Sequence, residues 1–130
     1  MPPKLFTLDE ALTLLPTVRQ LITEIQAAKA DMEARTAELE RLMSLSGGNG
    51  HHAADIASNR ELVQQAGARL QALIEELDGI GVELKGVDDG LVDFPSNREG
   101  RVVCLCWRLG EDTIAWWHET DAGFAGRQPL

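Results

Sequence analysis

The chain is poor in the residues that mark several common classes of protein. It has no tyrosine, only three tryptophans and three phenylalanines, and no apolar run close to the ~20 residues that span a bilayer. Its 12 lysines and arginines are outnumbered by 21 aspartates and glutamates, which gives a formal net charge of −9. No basic stripe supplies the counter-charge that a phosphate backbone or an anionic membrane surface requires. The composition therefore disfavours nucleic acid and membranes as partners.

Cysteine is also scarce, and its placement limits its uses. Cys104 and Cys106 are separated by one residue, which is too close for an ordinary disulfide within one strand. Without a disulfide framework or a recognisable signal peptide, we expect a cytoplasmic protein in a reducing compartment. A chain of 130 residues can bury a core without a disulfide or a metal. We therefore expect a single domain over residues 1–130.

The first half of the chain carries helical periodicity. Thr7 followed by Glu10 is a capping-box pattern, which predicts a helix over residues 8–45. Apolar residues then recur at spacings of three and four, interrupted by Lys29 and Thr36. The seam consists of Leu8, Ala11, Leu15, Val18, Ile22, Ile25, Lys29, Met32, Thr36, Leu39 and Met43.

A glycine-rich turn over residues 44–52, which contains His51 and His52, separates this helix from a second one. The second seam predicts a helix over residues 53–78, with Gly79 as its left-handed stop. Two such helices form an antiparallel hairpin resembling a coiled coil. Since the first helix is longer, we expect its opening turns to pack against strands.

After the hairpin the pattern changes to short strands and glycine turns, which predicts an antiparallel β-meander over residues 80–118 and an ordered tail over residues 119–130. The strand candidates are residues 80–84, 91–94, 101–108 and 113–118. The third is apolar on both faces, so it needs a cover on each side. The helices provide one cover. For the other we favour a second subunit, because a short tail cannot cover a whole sheet, and we therefore expect a homodimer of α+β fold.

Five stretches of the chain contain sequence motifs of a known family. They are FTLDEALTLLP (6–16), GVELK (81–85), GLVDFP (90–95), CWRLGE (106–111) and WHETDAGFAGRQP (117–129). In these stretches the chain resembles an uncharacterised bacterial family known as domain of unknown function 2203. The resemblance implies a small protein made of a helical hairpin and a β segment. It implies no activity, and no catalytic or binding residue is carried over from it.

The sharpest polar cluster of the sequence lies near its end. His118, Glu119 and Asp121 fall within four residues, and an imidazole with carboxylates suits a divalent metal such as zinc or manganese. Asp93, at the end of the second strand candidate, is a further oxygen ligand for the same site. In the structural alternative, which is the more common one, His118 packs among tryptophans while Glu119 and Asp121 form ion pairs with nearby arginines.

The two cysteines have two interpretations as well. Alternation along a strand puts both thiols on one face. With His118 or Asp93 nearby, the thiols complete a soft metal site. Free cysteines in such a strand are more often small buried hydrophobic residues.

Two arginines are candidates for binding an anion. Among the cations of the strand region we single out Arg108 and Arg127, but the glycines before Arg127 lack the spacing of a phosphate loop. We prefer a structural role, in which both arginines join Asp93 and Glu111 in an ion-pair network that holds the tail.

Two classes of function remain. The first is a non-enzymatic homodimeric assembly or binding module without a cofactor. The alternative is a divalent-metal-binding protein that uses His118, Glu119 and Asp121, with a hydrolase as one form of it. No serine or threonine has an evident histidine partner, so the sequence leans against an enzyme.

Overall fold

A computed structural model describes residues 4–45 and 52–130. Two long helices precede a five-stranded antiparallel sheet, so the predicted α+β fold is confirmed. The elements are α1 (Leu8–Leu45), α2 (Ala53–Ile80), β1 (Glu83–Gly86), β2 (Leu91–Arg98), β3 (Arg101–Arg108), β4 (Trp116–Glu119), a 3₁₀ turn (Phe124–Gly126) and β5 (Gln128–Pro129). Most of the expected turn, His51 included, lies outside the described residues.

Helix α1 begins with the predicted capping box. The backbone N–H of Glu10 donates to Thr7 Oγ1 at 3.1 Å, and the N–H of Thr7 donates to Glu10 Oε1 at 2.9 Å. The first seam residue, Leu8, is exposed. The next part of the predicted seam is buried, comprising Ala11, Leu15, Val18, Ile22 and Ile25. Towards the end of the helix the buried face moves by one position, so that Leu42 is buried and Met43 is exposed. The predicted seam therefore holds for the opening turns of α1 after Leu8 and is wrong at Met43.

Helix α2 ends later than the sequence pattern predicts. It continues through Gly79 to Ile80, and the left-handed residue is Gly81, with φ 101°. A side chain at Gly81 would also meet Lys4 Cβ at 2.8 Å. Glycine is therefore required at Gly81 by both the backbone conformation and the close approach of the N-terminal segment, and the predicted stop at Gly79 is wrong.

The strands follow one another in the order β1-β2-β3-β4-β5, each antiparallel to the next, which confirms the meander. The first strand begins three residues later than predicted, because α2 occupies the chain up to Ile80. Strand β2 continues through Pro95 to Arg98 and turns into β3 through Glu99 and Gly100, both at positive φ, as a two-residue hairpin requires. Strand β4 is shorter than predicted, and part of the expected tail forms β5.

The inner face of the sheet packs on the opening turns of α1, as predicted. Buried residues of α1, β2, β3 and β4 form one hydrophobic core. The ring of Phe6 meets that of Phe94 edge-on at 5.5 Å, and the guanidinium of Arg19 lies 5.6 Å from the ring centroid of Trp107. This packing fixes the orientation of the sheet, and with it the direction of every side chain on the opposite, outer face.

The middle of the outer face is covered by the chain itself. Strand β3 is buried from Val103 to Trp107, which includes the outward-facing Cys104 and Cys106. Arg127 of the tail lies against Cys106 and donates to its sulfur at 3.3 Å. Although a short tail is not expected to cover a whole sheet, the chain itself buries the middle of β3, so the burial of this strand does not by itself require a second subunit. Over residues 4–45 and 52–130, no helix combines the length and apolar character needed to cross a bilayer.

Candidate functional site

The strand register collects the candidate site on the outer face. Asp93 of β2 lies opposite Cys106 of β3, and His118 of β4 lies opposite Cys104. The imidazole and the carboxylate come from strands on either side of β3, and small cysteine side chains between them leave room for the ring to reach across. His118 Nε2 lies 2.9 Å from Asp93 Oδ1, and the two side chains are 3% and 2% exposed. The result is a buried histidine–aspartate pair.

The hydrogen bond of the second ring nitrogen of His118, Nδ1, determines which ring nitrogen carries a proton. Nδ1 lies 2.7 Å from the backbone oxygen of Glu119. A carbonyl oxygen only accepts, so Nδ1 carries a proton and donates it. On a neutral ring, Nε2 then has no proton and can only accept a hydrogen bond. An ionised Asp93 carboxylate can also only accept, so the two atoms would repel each other. The contact between Nε2 and Asp93 therefore requires a cation, which is either a shared proton or a metal ion.

Cys104 is the third member of the cluster. One ligand atom each from Asp93, Cys104 and His118 lies within 4.8 Å of the others, and all three residues are buried. Within the described part of the chain, no other group of three histidine, cysteine or acidic side chains converges in this way. Burial, reinforced by the charge of Asp93, raises the pKa of the Cys104 thiol to about 12. The thiol is therefore protonated at neutral pH and is not a nucleophile unless a metal ionises it.

A cavity of about 320 Å³ opens above the histidine–aspartate pair. Asp93 and His118 form its floor, and the tail forms one wall. The remaining lining residues are Lys85, Leu91, Thr120, Asp121, Ala122, Gly123 and Phe124. A larger opening of about 360 Å³ lies along residues 4–14, but its lining contains no histidine or cysteine. Of these two cavities, the one above the histidine–aspartate pair is therefore the candidate functional site.

The predicted metal ligands are thus only partly brought together. His118 and Asp93 are in contact, and Asp121 lines the same cavity. Glu119 lies opposite Val103 in the register, so its side chain points to the other face, where it pairs with Arg101.

The predicted ion-pair network is divided between two places. Arg127 forms a bidentate pair with Glu111, with distances of 2.7 and 2.6 Å. This hydrogen bonding lowers the pKa of Glu111 and raises that of Arg127. Arg108 takes part through its backbone N–H, which donates to Glu111 at 2.7 Å, while its guanidinium lies 5.2 Å from the ring centroid of Phe124. Asp93 belongs to the histidine pair instead.

Each member of the buried cluster is a candidate ligand in the sequence, but the sequence does not indicate that Asp93, Cys104 and His118 form one set. The strand alternation suggests Cys104 with His118 or Asp93, whereas the prediction that Glu119 joins His118 rests on their being adjacent in sequence. Adjacent residues of a strand point to opposite faces, and this signal already separates Glu119 from His118. Phe124 was missed as part of the cavity wall, and nothing in its sequence context indicates that role.

Comparison with known proteins identifies the family. A family model described as "Uncharacterized conserved protein (DUF2203)" matches residues 4–130, nearly the whole chain. No curated protein and no solved structure matches the chain. The chain therefore belongs to the DUF2203 family, in agreement with the resemblance noted in the sequence.

Proposed function

We propose that this member of the DUF2203 family is a divalent-metal-binding protein, with His118 Nε2, an Asp93 carboxylate oxygen and Cys104 Sγ as ligands. The observation that carries the proposal is the convergence of these three buried atoms around a position that needs a positive charge. Zinc is the metal that suits a mixed set of nitrogen, oxygen and sulfur ligands. Manganese prefers oxygen ligands and fits the set less well.

The spacing of the ligand atoms supports zinc. Bond lengths of about 2.0–2.3 Å in a tetrahedral site place ligand atoms about 3.4–3.6 Å apart. His118 Nε2 and Asp93 Oδ1 are 2.9 Å apart, and all three ligand atoms fall within 4.8 Å of one another. Insertion of the ion therefore needs side-chain movements of about 1 Å or less. The hydrogen bond from Nδ1 to the Glu119 carbonyl is the kind of outer contact that orients metal-binding histidines.

The coordination sphere would not be closed by these residues alone. Three protein ligands leave one position of a tetrahedral ion, and the cavity above the floor is the side from which a fourth ligand reaches it. Water or the Asp121 carboxylate are the candidates for this position. A hydrolase would need water there, and the proposal itself contains no catalytic step.

The Cys104 thiol limits the affinity. Its pKa of about 12, compared with an ordinary 9.0, adds about 4 kcal/mol to the free energy needed to ionise it at neutral pH. Structural zinc sites in small peptides gain ~10–16 kcal/mol, so binding remains favourable but weaker than in those sites. We expect the zinc affinity to rise with pH, because binding displaces a proton from the thiol.

A zinc titration of chelator-stripped protein against a competing indicator tests the proposal. We expect one zinc ion per chain in the unmodified protein, and loss of binding in His118→Ala and Cys104→Ser. His52→Ala and Cys106→Ser are the matched controls, since neither residue belongs to the cluster. Absence of zinc binding in the unmodified protein, or undiminished binding in His118→Ala, would contradict the proposal. Circular dichroism of each variant verifies that it is folded.

We also propose that the chain forms a homodimer, through a patch at the edge of the inner face. The supporting observation is that Leu8 and Leu130, which are 37% and 44% exposed, line one cavity of about 280 Å³ together with Leu105. Two exposed leucines beside a hollow that is lined by apolar and polar side chains in equal number are typical of a contact surface with a polar rim. Light scattering at micromolar concentration should give about twice the chain mass of 14.2 kDa. Leu8→Lys should shift the protein to a monomer, whereas Leu45→Lys, at the far end of α1, should not. A monomer in the unmodified protein would rule the dimer out.

A further inference from the structure

The tail wall of the cavity above the metal cluster has one large side chain, Phe124. It lies in the 3₁₀ turn of the tail and lines the cavity whose floor is made by Asp93 and His118. The other tail residues that line the cavity are small or polar. Phe124 is therefore the large apolar side chain that the tail contributes to the cavity lining, and Leu91 of β2 is the other large apolar side chain in it.

Two arginines hold this ring in place. The guanidinium of Arg127 lies 4.4 Å from the Phe124 ring centroid, and that of Arg108 lies 5.2 Å from it. Arg127 is itself fixed by its bidentate pair with Glu111, and its side chain is only 11% exposed. Stacking on a fixed guanidinium restrains an aromatic ring without burying it. Phe124 is 40% exposed, so the ring can swing outward without opening the hydrophobic core.

We infer that Phe124 is the gate of the proposed metal site, and that the Arg127–Glu111 pair is the latch that keeps the gate closed. The inference rests on the proposed function for the identity of the ion, but the gate itself is a property of the cavity. A gate controls the rate at which the ion enters and leaves. It makes no differential contact with the bound and free states of the ion, so it leaves the binding equilibrium unchanged.

This property separates a gate from a structural role. Removal of the ring by Phe124→Ala should raise the rates of zinc binding and of zinc release by a similar factor, about tenfold or more, with little change in Kd. A residue that merely stabilised the site would change Kd and leave the association rate unaltered. Arg127→Lys keeps the charge but loses the bidentate geometry, and we expect an intermediate acceleration from it.

The experiment uses the full chain and has one arm that needs no metal. In a Cys106→Ser background, a small thiol reagent reports access to Cys104 in the metal-free protein, and zinc release into excess chelator is followed in parallel. Val102→Ala is the matched control, because Val102 is an exposed apolar residue of the same strand face that does not line the cavity. We expect Phe124→Ala to accelerate both reactions, and Val102→Ala to accelerate neither.

The outcomes distinguish the gate from the metal proposal. Thiol access unchanged in Phe124→Ala would overturn the gate, whether or not zinc binds. Faster thiol access together with no zinc binding in the unmodified protein would support a gated cavity and overturn the metal proposal. Zinc release unchanged in Phe124→Ala, with the unmodified protein binding zinc through His118, would overturn the gate alone.

Discussion

The two faces of the sheet are built from the same strands and differ in what they bury. On the inner face, β2 and β3 contribute Val92, Phe94, Val103, Leu105 and Trp107 to a single apolar core with α1. On the outer face, the residues between these positions include Asp93, Cys104 and Cys106, which are buried just as completely. One strand thus alternates between an apolar core and a buried polar cluster.

The two faces differ in whether the burial of their side chains stabilises the fold. Apolar side chains gain free energy when they leave water, at about 25 cal/mol per Å² of buried surface. A carboxylate and an imidazole lose solvation when they are buried, and hydrogen bonds only offset this loss. Leucine or valine would serve packing better at Asp93 and His118. We therefore attribute the inner face to folding and propose binding as the role of the outer face.

The inner face should give the largest loss of stability. Phe94 is fully buried and meets Phe6 edge-on. Phe94→Ala should lower the free energy of unfolding by about 3–5 kcal/mol, as expected for a large core aromatic. Urea unfolding measures the change. A loss below about 1 kcal/mol would mean that the inner face is not the core of the fold.

On the outer face, we expect a pair of substitutions to be better tolerated than one. Asp93→Leu alone leaves the Nε2 atom of His118 buried without a partner and should cost about 2–3 kcal/mol. The double variant Asp93→Leu/His118→Leu removes both polar groups and should recover most of that loss. The same urea unfolding experiment compares the two. A double variant that is less stable than the single one would show that the pair itself stabilises the fold.

The latch should give a smaller, pH-dependent effect. Because hydrogen bonding to Arg127 holds the pKa of Glu111 below its ordinary 4.5, the ionised pair stabilises the folded state above that pH. The contribution is lost as the pH falls through the lowered pKa, where Glu111 becomes protonated. Glu111→Gln should therefore lower Tm at pH 7, and its difference from the unmodified protein should shrink progressively below about pH 4. A difference that does not change with pH would contradict this origin.

The inner face was more accessible to sequence reasoning than the outer one. Capping, the seam from Ala11 to Ile25 and the meander follow from local patterns, because periodicity reports burial directly. The contact between His118 and Asp93 does not, since it crosses β3 and depends on the register of two hairpins. The turn between β3 and β4 sets which residue lies opposite Cys104, and its conformation cannot be read from its composition. The end of α2 is mispredicted at Gly79 for a similar reason. Gly79 and Gly81 are both able to end the helix, and the approach of the N-terminal segment to Gly81 is not visible in the sequence.

Replacement of zinc by cobalt tests the central claim most directly, because Co²⁺ occupies similar sites and its bond to a cysteine thiolate gives a charge-transfer absorption band. Binding at the outer-face cluster predicts this band in the unmodified protein and in Cys106→Ser, and its disappearance in Cys104→Ser. Both cysteines are buried on the same strand face, so the pair of variants isolates the ligand. Absence of the band in the unmodified protein, or its persistence in Cys104→Ser, would contradict the proposal that the buried cluster binds a metal ion.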